Sequence, residues 1–169
     1  MAALLFAATT SLAQQPLPST PNVVVISPRL MTSGQPSAQA LAALGALGFE
    51  AVIYLAPPNV SDAVRDEAVI VGRQGIVFVN IPIKFDRPTE QDYEAFAAVL
   101  DALSNRKVLV HCQVNLRASS MVFLYRAIAR KEDPRVAYEA VTGVWAPEGP
   151  WKRLIADLLR KHAVNFEPY

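Results

Sequence analysis

The chain is 169 residues long, carries a formal net charge of +1 and is 52% hydrophobic. That suits one ordinary domain with a single buried core, and with no basic run or interleaved aromatic patch it argues against nucleic acid or a strongly acidic partner. One cysteine excludes an internal disulfide and leaves either a buried small side chain or a reactive thiol.

The first thirteen residues differ from the rest. Ala2-Ala3-Leu4-Leu5-Phe6-Ala7-Ala8 is apolar, and Ser11-Leu12-Ala13 offers the small residues of a cleavage site. We read residues 1–13 as an export signal, residues 14–22 as a polar, Pro-containing linker, and residues 23–169 as the single domain. Export implies a periplasmic or secreted protein. No Lys or Arg precedes Arg29, so the alternatives are an apolar tail or a mis-assigned start, the latter leaving the chain cytoplasmic. The apolar stretch is far shorter than the ~20 residues a membrane span takes, so no span is expected.

Residues 22–26 form a β-branched run, expected as an edge strand. Ser33-Gly34-Gln35-Pro36-Ser37 is a turn, with Ser37 capping a helix that carries Leu41, Leu44 and Leu47. Ala51-Val52-Ile53-Tyr54-Leu55, stopped by Pro57-Pro58, has the unbroken apolar character of a buried strand. Ser61 is expected to cap a helix to about Val71, and Gly75 to introduce a strand over residues 76–81. Residues 82–88 are a loop containing Asp86, and Thr89 opens a helix with Phe96, Val99 and Leu100 on one face. A strand over 107–111, a short turn, and a helix from Arg117 to about Arg130 follow. Two more helices, over 135–141 and 151–162, close the chain. Strands alternating with helices predict an α/β domain, with a central, mostly parallel sheet and helices on both faces.

The segment that carries chemistry is His111-Cys112-Gln113-Val114-Asn115-Leu116-Arg117-Ala118-Ser119. A strand delivers Cys112 to its C-terminal end, where open α/β sheets place ligands. The helix that follows starts with N–H groups lacking partners, and its dipole favours both an anion and a thiolate. Arg117 supplies a permanently charged planar fork for an oxyanion. Asn115 tolerates the left-handed backbone that turns loop N–H groups inward. Ser119 can donate to a thiolate leaving group.

These residues resemble the phosphate-binding loop of protein tyrosine and dual-specificity phosphatases, whose pattern is His-Cys, five residues, Arg, Ser/Thr. A bacterial group with four intervening residues is more similar. It shares the Ser33-Gly34-Gln35-Pro36-Ser37 turn, the Ile53-Tyr54-Leu55-Ala56-Pro57 strand end and a Trp-containing C-terminal region like Trp145 to Trp151. The resemblance implies a cysteine-dependent phosphatase-like fold, with Cys112 as nucleophile forming a phosphocysteine and His111, Gln113, Val114, Asn115, Leu116 and Arg117 as the phosphate loop. It implies hydrolysis of a phosphate monoester, on a phosphorylated protein or a small ester, without metal or organic cofactor. Here the loop is one residue short, lacks the usual glycine, and has Ala118 where the longer motif has Arg.

The same resemblance calls for a general acid upstream of the nucleophile. Asp86 lies in the expected loop; Asp62 is the alternative, set aside because Ser61-Asp62 has the character of a helix start. Arg87 and His162 are expected as solvated surface residues, His111 as a support for Cys112, and Trp145 and Trp151 as packing residues. Rhodanese-type sulfurtransferases also resemble the segment, because many separate Cys and Arg by four residues. A persulfide-forming enzyme and a non-enzymatic anion-binding module are therefore the rival expectations.

Overall fold

Residues 17–169 are described by the structure, a computed structural model; the signal-like residues 1–13 lie outside them. Five strands, β1 (Val24–Ser27), β2 (Leu30–Ser33), β3 (Ala51–Tyr54), β4 (Val77–Asn80) and β5 (Val108–His111), form one sheet in the order β1-β2-β5-β3-β4. Only the β1–β2 edge is antiparallel. Every residue of β3 and β5 is buried, which is why both strands show as unbroken apolar runs rather than alternating ones.

Successive side chains on a strand face opposite ways, and the two faces have separate cores. Val52 and Leu109 meet Leu41, Leu44 and Val71 from α1 (Ala38–Ala42), the turn after it, and α2 (Glu67–Gly72). Ile53-side neighbours and Val110 meet the larger core on the other face. That core draws Phe96 from α3 (Glu90–Ala102), Met121 from α4 (Leu116–Leu124), Tyr138 from α5 (Pro134–Thr142) and Trp151 from α6 (Gly149–Lys161). The predicted α/β domain with helices on both faces is the observed one. Strand registers pair His111 with both Ser33 and Tyr54, and Tyr54 with Asn80. These four residues make a row across the C-terminal ends of the parallel strands, where ligands of open sheets bind.

Two caps match the sequence. Ser37 Oγ accepts from Ala40 N–H at 3.1 Å, and Thr89 and Asp92 form a reciprocal capping box at the start of α3. The structure adds to or departs from the sequence reading at four places. The predicted helix from Ser61 begins only at Glu67, with turns before it, because Asp62 is drawn outward by the Gln113 side chain at 2.7 Å. The strand β2 was not expected, since half of it is the polar pair Thr32-Ser33, both fully buried. The helix after the loop starts at Leu116 and ends in a π turn over Tyr125–Ala129, where Arg130 N–H donates to Tyr125 C=O at 3.1 Å. Finally, the expected linker is packed from Leu17 onward. Leu17 is 3% exposed in the smaller core, and Pro21 C=O accepts from Gly34 N–H at 2.8 Å.

Candidate active site

The loop after β5 is held from two sides. Cys112 N–H donates to Ser33 C=O at 3.2 Å, and Gln113 C=O accepts from Gln35 N–H at 2.9 Å. Gly34 bridges Val114, and a Cβ at Gly34 would stand 2.8 Å from Gln113 O and 3.1 Å from Val114 Cα. The Ser33-Gly34-Gln35 turn thus presses on the loop at a distance only glycine permits. Asn115 takes the left-handed conformation (φ 72, ψ 2) expected of it. Its buried amide donates to Asn22 O at 2.6 Å and to Thr32 Oγ1 at 3.0 Å. Asn22 Nδ2 in turn donates to Val114 O at 2.9 Å. With the loop so fixed, α4 begins at Leu116, and its first N–H groups have no preceding turn to bond.

Cys112 is fully buried, among the residues of the larger core. Arg117 is only 5% exposed. Its Nε donates to Ile83 C=O at 3.0 Å, its Nη1 lies 3.4 Å from Gln113 Oε1, and its guanidinium stands 5.1 Å from the Phe85 ring centre. Among the described residues no carboxylate forms an ion pair with it. A buried charge is ordinarily paired. This one instead lines a cavity of about 250 Å³ with Asp62, Phe85, Gln113, Val114 and Leu116.

His111 was expected to support Cys112; its imidazole is directed elsewhere. It stacks on Tyr54 at 4.7 Å and 16°, and its Nε2 lies 2.6 Å from Glu67 Oε1. Those two atoms are in close contact but do not meet as a hydrogen bond. Gln35 Nε2 donates to the other Glu67 oxygen at 2.9 Å. Glu67 was missed from sequence, where it is one carboxylate in a polar helix turn. Burial first, then the Glu67 and Asp62 carboxylates, push the Tyr54 phenol up to about 12, with Arg117 pulling the other way. Ser119 Oγ donates to Leu116 O at 3.3 Å, one turn back.

Asp62 and Asp86 flank the loop differently. Asp62 lines the Arg117 cavity and accepts from Gln113. Asp86 is exposed and lines an adjoining groove of about 530 Å³ with Phe85, Leu116, Trp145 and Trp151. Its loop is strapped by Arg117 at Ile83 and by Trp151, whose Nε1 donates to Phe85 O at 2.9 Å. Trp151 and Trp145 are the packing residues expected, Trp151 fully buried and Trp145 half-buried against the larger core while also walling the groove. Arg87 and His162 are exposed.

A mostly parallel sheet that hands a cysteine to a helix start beside an uncompensated guanidinium has the build of the cysteine-dependent phosphatases, and the comparisons agree. The chain belongs to the family described as DSP-PTPase phosphatase fused to NAD+ kinase, whose model matches residues 24–148. It is similar to a candidate phosphatase (DUF442) from Shewanella putrefaciens CN-32, with TM-score 0.78 and 32% identity over 86% of this chain and 96% of that one. It shares its fold with TpbA of P. aeruginosa, with TM-score 0.66 and 23% identity over 94% of this chain and 95% of that one. Tk-PTP in its active form has the same fold, with TM-score 0.66 and 20% identity over 88% of this chain and 99% of that one. Comparison with curated proteins gives no match. The chain is a cysteine-dependent phosphatase of the tyrosine and dual-specificity class, a phosphoric monoester hydrolase; the sulfurtransferase and the inert module are not favoured. No helix among the described residues is long and apolar enough to cross a membrane.

Proposed function

We propose that Cys112 attacks the phosphorus of a phosphate monoester in line. The sulfur–phosphorus bond forms as the ester oxygen leaves, and Asp86 gives that oxygen its proton. The remaining N–H groups of Arg117 and those at the start of α4 hold the equatorial oxygens. Water then attacks the phosphocysteine and loses its proton to the same Asp86. Inorganic phosphate departs and the Cys112 thiolate is restored, with Ser119 one turn into α4 turning its hydroxyl from Leu116 O to donate to it. Gln113, Val114, Asn115 and Leu116 shape the cup, and His111 anchors its first residue.

The observation that carries this reading is Arg117: buried, without a carboxylate ion-pair partner among the described residues, and lining the cavity at the helix start. A phosphoryl dianion is the counter-charge such a site lacks. We further propose an aryl phosphate such as phosphotyrosine, free or in a protein, as the preferred ester. Phe85 and Trp145 offer an aromatic wall beside the cup, and a Cys-to-Ser variant of TpbA has been solved with phosphotyrosine. The apolar first residues support export to a periplasm or beyond.

The test is turnover of 4-nitrophenyl phosphate by the wild type and by Cys112→Ser. The variant should fold, bind phosphate and turn over nothing, and acid quench of the wild type during turnover should trap phosphate on Cys112. Turnover surviving the substitution overturns the reading.

A further inference from the structure

The opposite end of the sheet carries a second concentration of positive charge. Arg29 stands just before β2 and Arg106 just before β5, at the strand starts farthest from Cys112. Arg126 and Arg130 stand at the end of the helix that α4 begins. All four line one cavity of about 280 Å³, in which the only acidic lining residue is Glu132. This is a local excess, since the whole chain has 16 basic and 15 acidic residues. Glu132 is already engaged, accepting from Arg126 Nε at 2.8 Å. The nearby Asp101 accepts from Tyr125 Oη at 3.2 Å. Among the described residues, Arg29, Arg106 and Arg130 form no ion pair, and Arg130 interacts with the Tyr125 hydroxyl.

The cavity is not merely a charged rim. Leu100, Val108 and Tyr125 line it and are buried side chains of the core, and the half-buried Ile26 and Leu30 join them. The π turn over Tyr125–Ala129 sits at this wall. Such turns are rare and are found mostly as single insertions at functional sites. Here it carries Tyr125 and Arg126 and ends at Arg130, so one irregular turn supplies an apolar wall and two of the cations.

We propose that this cavity is a second ligand site, for a small organic phosphate: an anionic head held by Arg29, Arg106 and Arg130, and an apolar body of about one ring seated on Leu30, Leu100 and Val108. Guanidinium forks suit tetrahedral oxyanions, and the volume of about 280 Å³ lies just below the ~300–1,000 Å³ range of pockets for drug-sized molecules, as suits a smaller ligand. The site is independent of the cysteine chemistry, since it shares no lining residue with the Arg117 cavity.

The test is a titration of the full chain with phenylphosphonate, which phosphatases cannot hydrolyse, followed by amide nuclear magnetic resonance. Two groups of shifts are expected: one over Gln113 to Arg117, and one over Arg29, Val108, Tyr125 and Arg130. Arg29→Ala and Arg130→Ala, each at an exposed position, should weaken the second binding event about tenfold or more. Both should leave the first event and the turnover of 4-nitrophenyl phosphate unchanged. Inorganic phosphate and benzyl alcohol, which carry the head or the body alone, should each bind the second site more weakly than phenylphosphonate. A spectrum in which the second group stays unmoved at millimolar ligand, or moves in both arginine variants as readily as in the wild type, overturns the proposal.

Discussion

Glu67 Oε1 stands 2.6 Å from His111 Nε2, and neither side chain is more than 4% exposed. The pair joins the start of α2 to the last residue of β5, the one before Cys112. Removing Glu67 would leave the buried Gln35 amide, which donates to it at 2.9 Å, without its acceptor, and a buried polar group left unsatisfied costs about 1–3 kcal/mol. Glu67→Ala should lose about that much stability in urea unfolding, and phosphatase activity should fall with it through the displaced His111. Unaltered stability would mean that the contact contributes nothing.

Gly34→Ala tests the pressure of the turn on the phosphate loop. The added methyl would meet the backbone of Gln113 at 2.8 Å and of Val114 at 3.1 Å, and neither is a flexible side-chain end. Overpacking of this kind costs about 1–3 kcal/mol. The larger effect should fall on kcat/KM, about tenfold or more, because small misplacements of a catalytic cup are expensive. A variant with full activity would show that the loop tolerates the shift.

Asp86 and Asp62 should separate by leaving group. With Asp86→Asn, kcat should fall about 100-fold or more on an alkyl phosphate, whose leaving oxygen needs a proton, and much less on 4-nitrophenyl phosphate. Asp62→Asn should act mainly on KM by loosening Gln113, its partner at 2.7 Å. The reverse pattern would transfer the acid role to Asp62.

Burial pushes the phenols of Tyr54 and Tyr93 up to about 12. An acid with a raised pKa in the folded state is favoured neutral there. Its stabilising contribution is complete below the unfolded value near 10 and is lost as pH climbs from about 10 towards about 12. The Tm should therefore fall through that window, and less so in Tyr93→Phe. Absorbance at 295 nm should show these phenols ionising late; titration of all five tyrosines together near pH 10 would contradict this.

Much of the architecture was legible because hydrophobicity speaks directly where strands are buried on both faces, as in β3 and β5. Caps at Ser37 and Thr89 were legible because their bonds are local. The cup was legible because Cys112, Asn115 and Arg117 act within one short stretch of chain. What escaped depends on contacts across the chain. The strand β2 hides Thr32 and Ser33 between neighbours no local pattern reveals, and the turns around Asp62 owe their shape to Gln113, fifty-one residues away. Glu67 gave no signal, since a carboxylate on a short helix is ordinarily solvated. Sequence also gave no hint that Arg117 would tie down the very loop that bears Asp86.

Enclosure of the sulfur has a chemical consequence. Sulfenic acid formed on a nucleophilic cysteine is commonly rescued by a second thiol that closes a disulfide, and this chain has no other cysteine. Rescue of a Cys112 sulfenic acid would therefore fall to a backbone nitrogen or to a thiol from outside the chain. Burial of Cys112 limits how readily a dissolved oxidant such as peroxide meets the sulfur, since susceptibility follows exposure as well as thiolate character.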